Sequence, residues 1–283
     1  MGLKIQKTTD PQTKPSVVMM VYGAGGVGKT TFATSAPKPL IVDFENGTKY
    51  LGMRGIDVDV VHLTQWQDVT QLGEAMADYE TIVLDPIGEV MESAKRHMIR
   101  NLGGKYVQKD GSPTMAGWGW MKEAVRSLIK YLRNSGKHVI LIAHVDEKSD
   151  EERLVKRPLI ATKLSDEIIN MVDIVGYMVN VAGEDGEIKR AILVDADDDK
   201  YEAKDRTGRL GRVIKPDFQN IVDTVADYSW QEDKQEEENP KKKTKKKAQS
   251  TTKEKEGEID ELIANSDNKP LSQEESVEML TKK

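Results

Sequence analysis

Ser16 to Ala36 reads SVVMMVYGAGGVGKTTFATSA, and the fold is decided in this stretch. Ser16 to Tyr22 is a short, continuously apolar run rich in valine, the pattern of a strand buried on both faces. It runs directly into Gly23, Ala24, Gly25, Gly26, Val27, Gly28, Lys29 and Thr30, which match G-x-x-x-x-G-K-[ST], and then into a helix-compatible TFATSA. Glycines at those positions let successive backbone N–H groups turn inward around phosphate oxygens, and the helix that follows adds its partial positive charge. Lys29 then reaches the β- and γ-phosphates and Thr30 coordinates magnesium, so Gly23 to Thr31 is the expected nucleotide-binding segment, Thr31 included.

Three further runs resemble the first: Pro39 to Phe44, Thr81 to Leu84 and His138 to Ala143. Between them lie helical patterns, the clearest from Trp118 to Arg133, where Met121, Val125, Leu128, Ile129 and Leu132 recur at three- and four-residue spacing. Alternating β and α elements predict an α/β fold, a mostly parallel central sheet flanked by helices, with ligands at the carboxyl ends of the strands. A helix is expected from Ser165 to Met171. Strands follow at Ile174 to Val181 and Ile188 to Val194, joined through Gly183–Gly186 as a hairpin extending the sheet.

Two strand ends carry carboxylates. Asp85 ends the Thr81 strand and so projects beside the phosphate loop, where an aspartate of P-loop enzymes holds magnesium. Glu45 follows the Pro39 strand, placed to orient and deprotonate an attacking water, with Asp43 as its competitor or its support.

Composition bounds the remainder. The chain has 283 residues, 32% charged and 37% hydrophobic, with no cysteine. That excludes disulfide scaffolds, thiol catalysis and cysteine-held metal centres, and four histidines are too few for a histidine-rich metal cluster. No apolar run reaches the length of a membrane span and the N-terminus lacks an apolar leader, so a cytoplasmic protein without membrane contact is expected. From residue 231 onward near-balanced lysine and glutamate, without aromatics, predict a low-complexity, disordered tail. The expected organisation is therefore an extension over 1–15, one ATPase-sized domain over 16–230 and a charged tail over 231–283. A net charge of −6 argues against coating nucleic acid by bulk electrostatics.

The chain resembles the RecA-core superfamily, most closely the small phage-encoded RecA-like ATPases of single-strand annealing and recombination, with RadA and DnaB-type helicases as cousins. VDFENG looks like the strand end carrying their catalytic glutamate, here Glu45, and TIVLDPI like their magnesium-aspartate strand. VILIAH ends in His144, where relatives carry a residue that senses the γ-phosphate. Lys204-Asp205-Arg206-Thr207-Gly208 is similar to RadA's Lys-Asn-Arg-Phe-Gly motif, with Asp for Asn and Thr for Phe. The resemblance spans roughly residues 16 to 215. It implies a RecA-like core that uses ATP and Mg2+, self-association, and composite sites in which Lys204 and Arg206 reach a neighbour's γ-phosphate.

It also implies single-stranded DNA as partner, bound by loops that follow the sensor residue. Asp146 to Lys163 is that region, and Lys156 and Arg157 are the expected contacts, with a solvated acidic loop as the rival reading. A second candidate is Leu102 to Trp120, where Lys105, Tyr106, Lys109, Trp118 and Trp120 mix cations with rings, unless the tryptophans anchor the following helix. The tail carries KKKTKKK and an apolar cluster at Ile259, Leu262 and Ile263, suited to a protein partner such as a single-strand-binding protein.

Overall fold

The structure is a computed structural model and describes residues 16–150, 153–161, 164–182, 187–197 and 200–226. The N-terminal extension, the Gly183–Gly186 connection and the tail, with the partner expected for it, lie outside the described residues. The described residues of 16–180 and 190–226 belong to one compact unit, and 181–189 are assigned to another.

In chain order the elements are β1 (Val18–Gly23), α1 (Lys29–Ala33), β2 (Pro39–Asp43), β3 (Asp59–His62), α2 (Leu72–Ala75), β4 (Thr81–Asp85), α3 (Ile87–His97) and α4 (Met115–Arg133). They continue with β5 (His138–Asp150), β6 (Arg153–Pro158), α5 (Leu164–Met171), β7 (Ile174–Ala182), β8 (Ile188–Leu193), β9 (Lys204–Asp205), β10 (Val213–Ile214) and α6 (Phe218–Ala226). The sheet runs β10-β8-β7-β1-β5-β4-β2-β3, with β9 beside β7. From β7 to β3 every pairing along that path is parallel.

The continuous apolar runs are explained by burial on both faces. Val18, Met20 and Tyr22 of β1 point into one core with Val90 of α3, Val125 and Ile129 of α4 and Ile168 of α5. Val17, Met19 and Val21 point into the other, with Phe32 of α1 and with Phe218 and Ile221 of α6. This is the α/β, mostly parallel, helix-flanked fold that the sequence predicts. Register aligns the functional ends: Gly23 pairs with His144, Leu84 with Leu141, and Asp43 with Asp85. Phosphate loop, Asp85, the turn after Asp43 and His144 therefore share one edge.

One expectation is corrected. The stretch after His144 is not a loop: β5 runs on to Asp150 and pairs antiparallel with β6, Asp146 facing Arg157 and Glu147 facing Lys156. Pairing satisfies the backbone groups, and opposite-charge residue types occupy facing positions, so a charged stretch that lacks apolar periodicity can still form a ladder. The two-residue strands β9 and β10 are too short to carry such a signal, whereas α6 carries Phe218, Ile221, Val222 and Val225 at three- and four-residue spacing. Among the described residues no helix is long and apolar enough to cross a membrane.

Candidate functional site

Gly23 ends β1 against β7: a Cβ there would lie 2.5 Å from the backbone oxygen of Met178, so only glycine fits. The chain then turns through Gly26 (φ 75°) and Gly28 (φ 107°), left-handed conformations costly for residues with a Cβ. Gly28 caps α1, and Lys29, its first residue, is buried. The Lys29 ammonium donates to the carbonyls of Gly23 and Ala24, both at 2.9 Å, and so braces the arch of the loop from inside. Burial lowers its pKa, opposed by the negative charges of Asp85 and Glu45.

Directly beneath, Thr30 Oγ1 donates to Asp85 Oδ2 at 2.7 Å. Burial raises the Asp85 pKa to about 6, and nearby Asp43 and Glu45 push the same way against the Thr30 hydrogen bond and Lys29. A buried carboxylate with an adjoining hydroxyl, crowded by negative charge, suits a hard divalent cation whose own charge would relieve the crowding. Among the described residues no group of three acidic or histidine side chains could hold a metal by itself. Thr30 and Asp85 would thus share the ion with phosphate oxygens and water.

Asp43 and Glu45 separate cleanly. Asp43 is buried, and its carboxylate accepts from the backbone N–H groups of Glu45 (3.0 Å), Gly47 (3.2 Å) and Thr48 (3.0 Å) and from the Thr48 hydroxyl (2.6 Å). Burial alone would raise its pKa, but these hydrogen bonds together hold it below the usual aspartate value. It is the support of the turn, and the turn delivers Glu45 into the open, 42% exposed, with Oε1 3.9 Å from His144 Nε2. Glu45, Asp85, Lys29, Thr30 and His144 are therefore brought together, although they come from a helix, a turn and two strands.

Lys204 and Arg206 are placed elsewhere. Lys204 lies level with Val175 on β7, which is level with Met20, roughly 10 Å back from Gly23 at the rise of a strand. Its ammonium donates to the carbonyls of Ile169 and Val172, both at 2.7 Å, at the end of α5, and Arg206 donates to Asn170 O at 2.8 Å. Neither reaches the phosphate loop of its own chain. Arg157 is held by Glu202 (2.7 Å) and Asp166 (3.1 Å), and Lys156 lies over the Tyr177 ring at 5.9 Å. In the second candidate region Trp120 stacks on His97 at 5.9 Å and packs against the core, which makes it an anchor of α4. Trp118 is half-buried, and Lys105 lies over Tyr106 at 5.0 Å.

Two features escape a reading of the sequence alone. Tyr22 is buried one residue before the loop, stacked on Tyr177, with its hydroxyl 2.6 Å from Glu202 O and 3.0 Å from Lys156 O. Only the apolar run around it is visible in sequence. Arg190, on β8, lies against Gly28; its signal is the alternation of Arg190, Ile192 and Val194 on one face of that strand.

The SPbeta prophage-derived uncharacterized protein YorG of Bacillus subtilis (strain 168) is 25% identical over 210 residues, covering 71% of this chain and 62% of that protein, so the chain spans less than two thirds of its relative's length. Among solved structures, the KaiC-like protein PH0186 of the hyperthermophilic archaeon Pyrococcus horikoshii OT3 is 14% identical over 63% of this chain and 78% of that one, at a TM-score of 0.36. A family model described as an AAA domain matches residues 16–207, from the residues leading into β1 to the turn after Arg206. That span contains the phosphate loop and all the strand ends described above, and the chain belongs to this AAA domain family of P-loop nucleoside triphosphatases.

Proposed function

We propose that the protein is a Mg2+-dependent ATPase of phage recombination that binds single-stranded DNA, promotes its annealing, and couples hydrolysis to the hairpin β5–β6. The observation carrying this reading is the convergence of Lys29, the Thr30–Asp85 pair and the Glu45–His144 pair at one sheet edge. Glu45 takes a proton from the water that attacks the γ-phosphorus, the bond to the β-phosphate oxygen breaks, and ADP and phosphate leave. Lys29 and the loop N–H groups hold the polyphosphate in line and meet the charge that develops on it. Thr30 and Asp85 would hold a magnesium ion, which would supply further charge neutralisation there.

Coupling to DNA has two physical supports. His144 lies within β5, so the residue beside Glu45 is continuous with the hairpin strand. Tyr22, adjacent to the loop, hydrogen-bonds at the backbone of Lys156 in β6. A change at the phosphate end thus has two short routes to the hairpin. The prophage origin of the relative YorG supports a phage setting. Arg157, already paired with two carboxylates, is the weaker of the two expected DNA contacts, and Lys156 the stronger.

The test is steady-state ATP hydrolysis with and without single-stranded DNA, beside DNA binding by fluorescence anisotropy. Turnover that requires Lys29 and rises with DNA is the expected result. Hydrolysis indifferent to DNA, with no anisotropy change, would redirect the proposal to a motor or loader acting on a protein.

A further inference from the structure

The loop's other flank holds a cation that the cycle above does not use. Five residues separate β7 from β8, too few for a crossover, so the two strands pair antiparallel. The Cβ position of Gly176 falls 2.4 Å from Ile192 Cγ2, which sets those residues opposite each other. Two steps along each strand, Arg190 is level with Met178, whose backbone oxygen is the one that crowds Gly23. Arg190 also shares the face of Ile192 and Val194, the face that packs with Val27 of the loop and Phe32 of α1. The strand therefore carries its side chain over the phosphate loop. Nε, Cδ and Cζ of Arg190 lie 3.1, 3.2 and 3.3 Å from the Cβ position of Gly28.

This is an unusual place for an exposed arginine. It makes no hydrogen bond or ion pair among the described residues, and it lies against Gly28, next in the chain to Lys29. A guanidinium laid on a phosphate loop, with no carboxylate among its described contacts, is matched by an anion bound there.

We infer that Arg190 is a phosphate-binding residue acting within its own chain, clamping the α- and β-phosphates of the bound nucleotide against Gly28. Which phosphates it meets follows from the sheet order. Glu45, Asp85 and His144 come from β2, β4 and β5 on one side of β1, and Arg190 comes from β8 on the other. The γ-phosphate belongs with the metal pair and the water-activating carboxylate, so the arginine faces the nucleoside end of the polyphosphate. Its planar fork suits two non-bridging oxygens at once.

The inference rests on the nucleotide reading and deepens it. Isothermal titration of the full chain with Mg2+-ADP and with the Mg2+ complex of the non-hydrolysable β,γ-imido analogue of ATP tests both and tells them apart. Arg190→Ala should weaken the two ligands alike, by about tenfold or more, the scale of one charge-assisted bidentate contact. Arg190→Lys should recover part of the loss for both. Unchanged affinities in Arg190→Ala overturn the assignment, and so does a loss confined to the triphosphate analogue, which would put the arginine at the γ-phosphate. A wild-type chain that binds neither nucleotide overturns the nucleotide reading itself, and this inference with it.

Discussion

Asp43 shows how much a single residue type leaves open until its neighbours are known. In sequence it and Glu45 are two acidic residues near a strand end; in the fold one is enclosed by four hydrogen bonds and the other reaches the site. Asn at position 43 keeps the shape but turns an acceptor oxygen into a donor facing N–H groups. Asp43→Asn should therefore lose about 2–3 kcal/mol in urea unfolding at neutral pH and should slow turnover by releasing Glu45. The sign of the pH dependence follows from a depressed carboxylate. Asp43 stabilises fully above its ordinary pKa of 3.8, and that contribution disappears as the pH falls through its lower folded value. Wild-type stability should thus drop more steeply than that of Asp43→Asn as pH falls from about 5 to about 3, and parallel profiles would count against this account. Lys29 and Thr30 were legible without the fold because spacing along the chain alone defines the motif that holds them, and Asp85 because it closes a continuous apolar run.

At the scale of elements, the strands with continuous apolar runs were legible and the hairpin was not. Burial on two faces writes a pattern into β1, β2, β4 and β5, whereas β6 and the far half of β5 are held by backbone pairing. Tyr22 joins these two kinds of strand. Tyr22→Phe retains the ring stacked on Tyr177 but removes the hydroxyl between Glu202 and Lys156, in a place that desolvation already makes inhospitable to charge, as the raised tyrosine pKa shows. The expected cost is about 1–2 kcal/mol in thermal or urea unfolding. If β1 and the hairpin communicate through that hydroxyl, DNA stimulation of turnover should fall by a larger factor than basal turnover. Equal reductions in both would leave Tyr22 a purely structural residue.

For the whole molecule the open question is whether one chain makes a complete site. Lys204 and Arg206 sit behind the phosphate loop of their own chain, bound to the carbonyls that end α5. A role at phosphate would require a second copy. Glu45→Ala and Arg206→Ala, each inactive alone, should regain part of the activity when mixed if sites form between chains, and gel filtration with the ATP analogue should show assembly. Mixtures as inactive as their components would assign Lys204 and Arg206 to capping α5 only. By itself the sequence determined the α/β class, the phosphate loop and the acidic strand ends, because each of these depends on local spacing or on burial that repeats along the chain. Only the tertiary structure decided which carboxylate supports the turn and which faces His144, that the charged stretch after His144 is a hairpin, and that Arg190 lies on Gly28. Those outcomes depend on sheet order and on register between strands far apart in the chain, and no local pattern of residues encodes either.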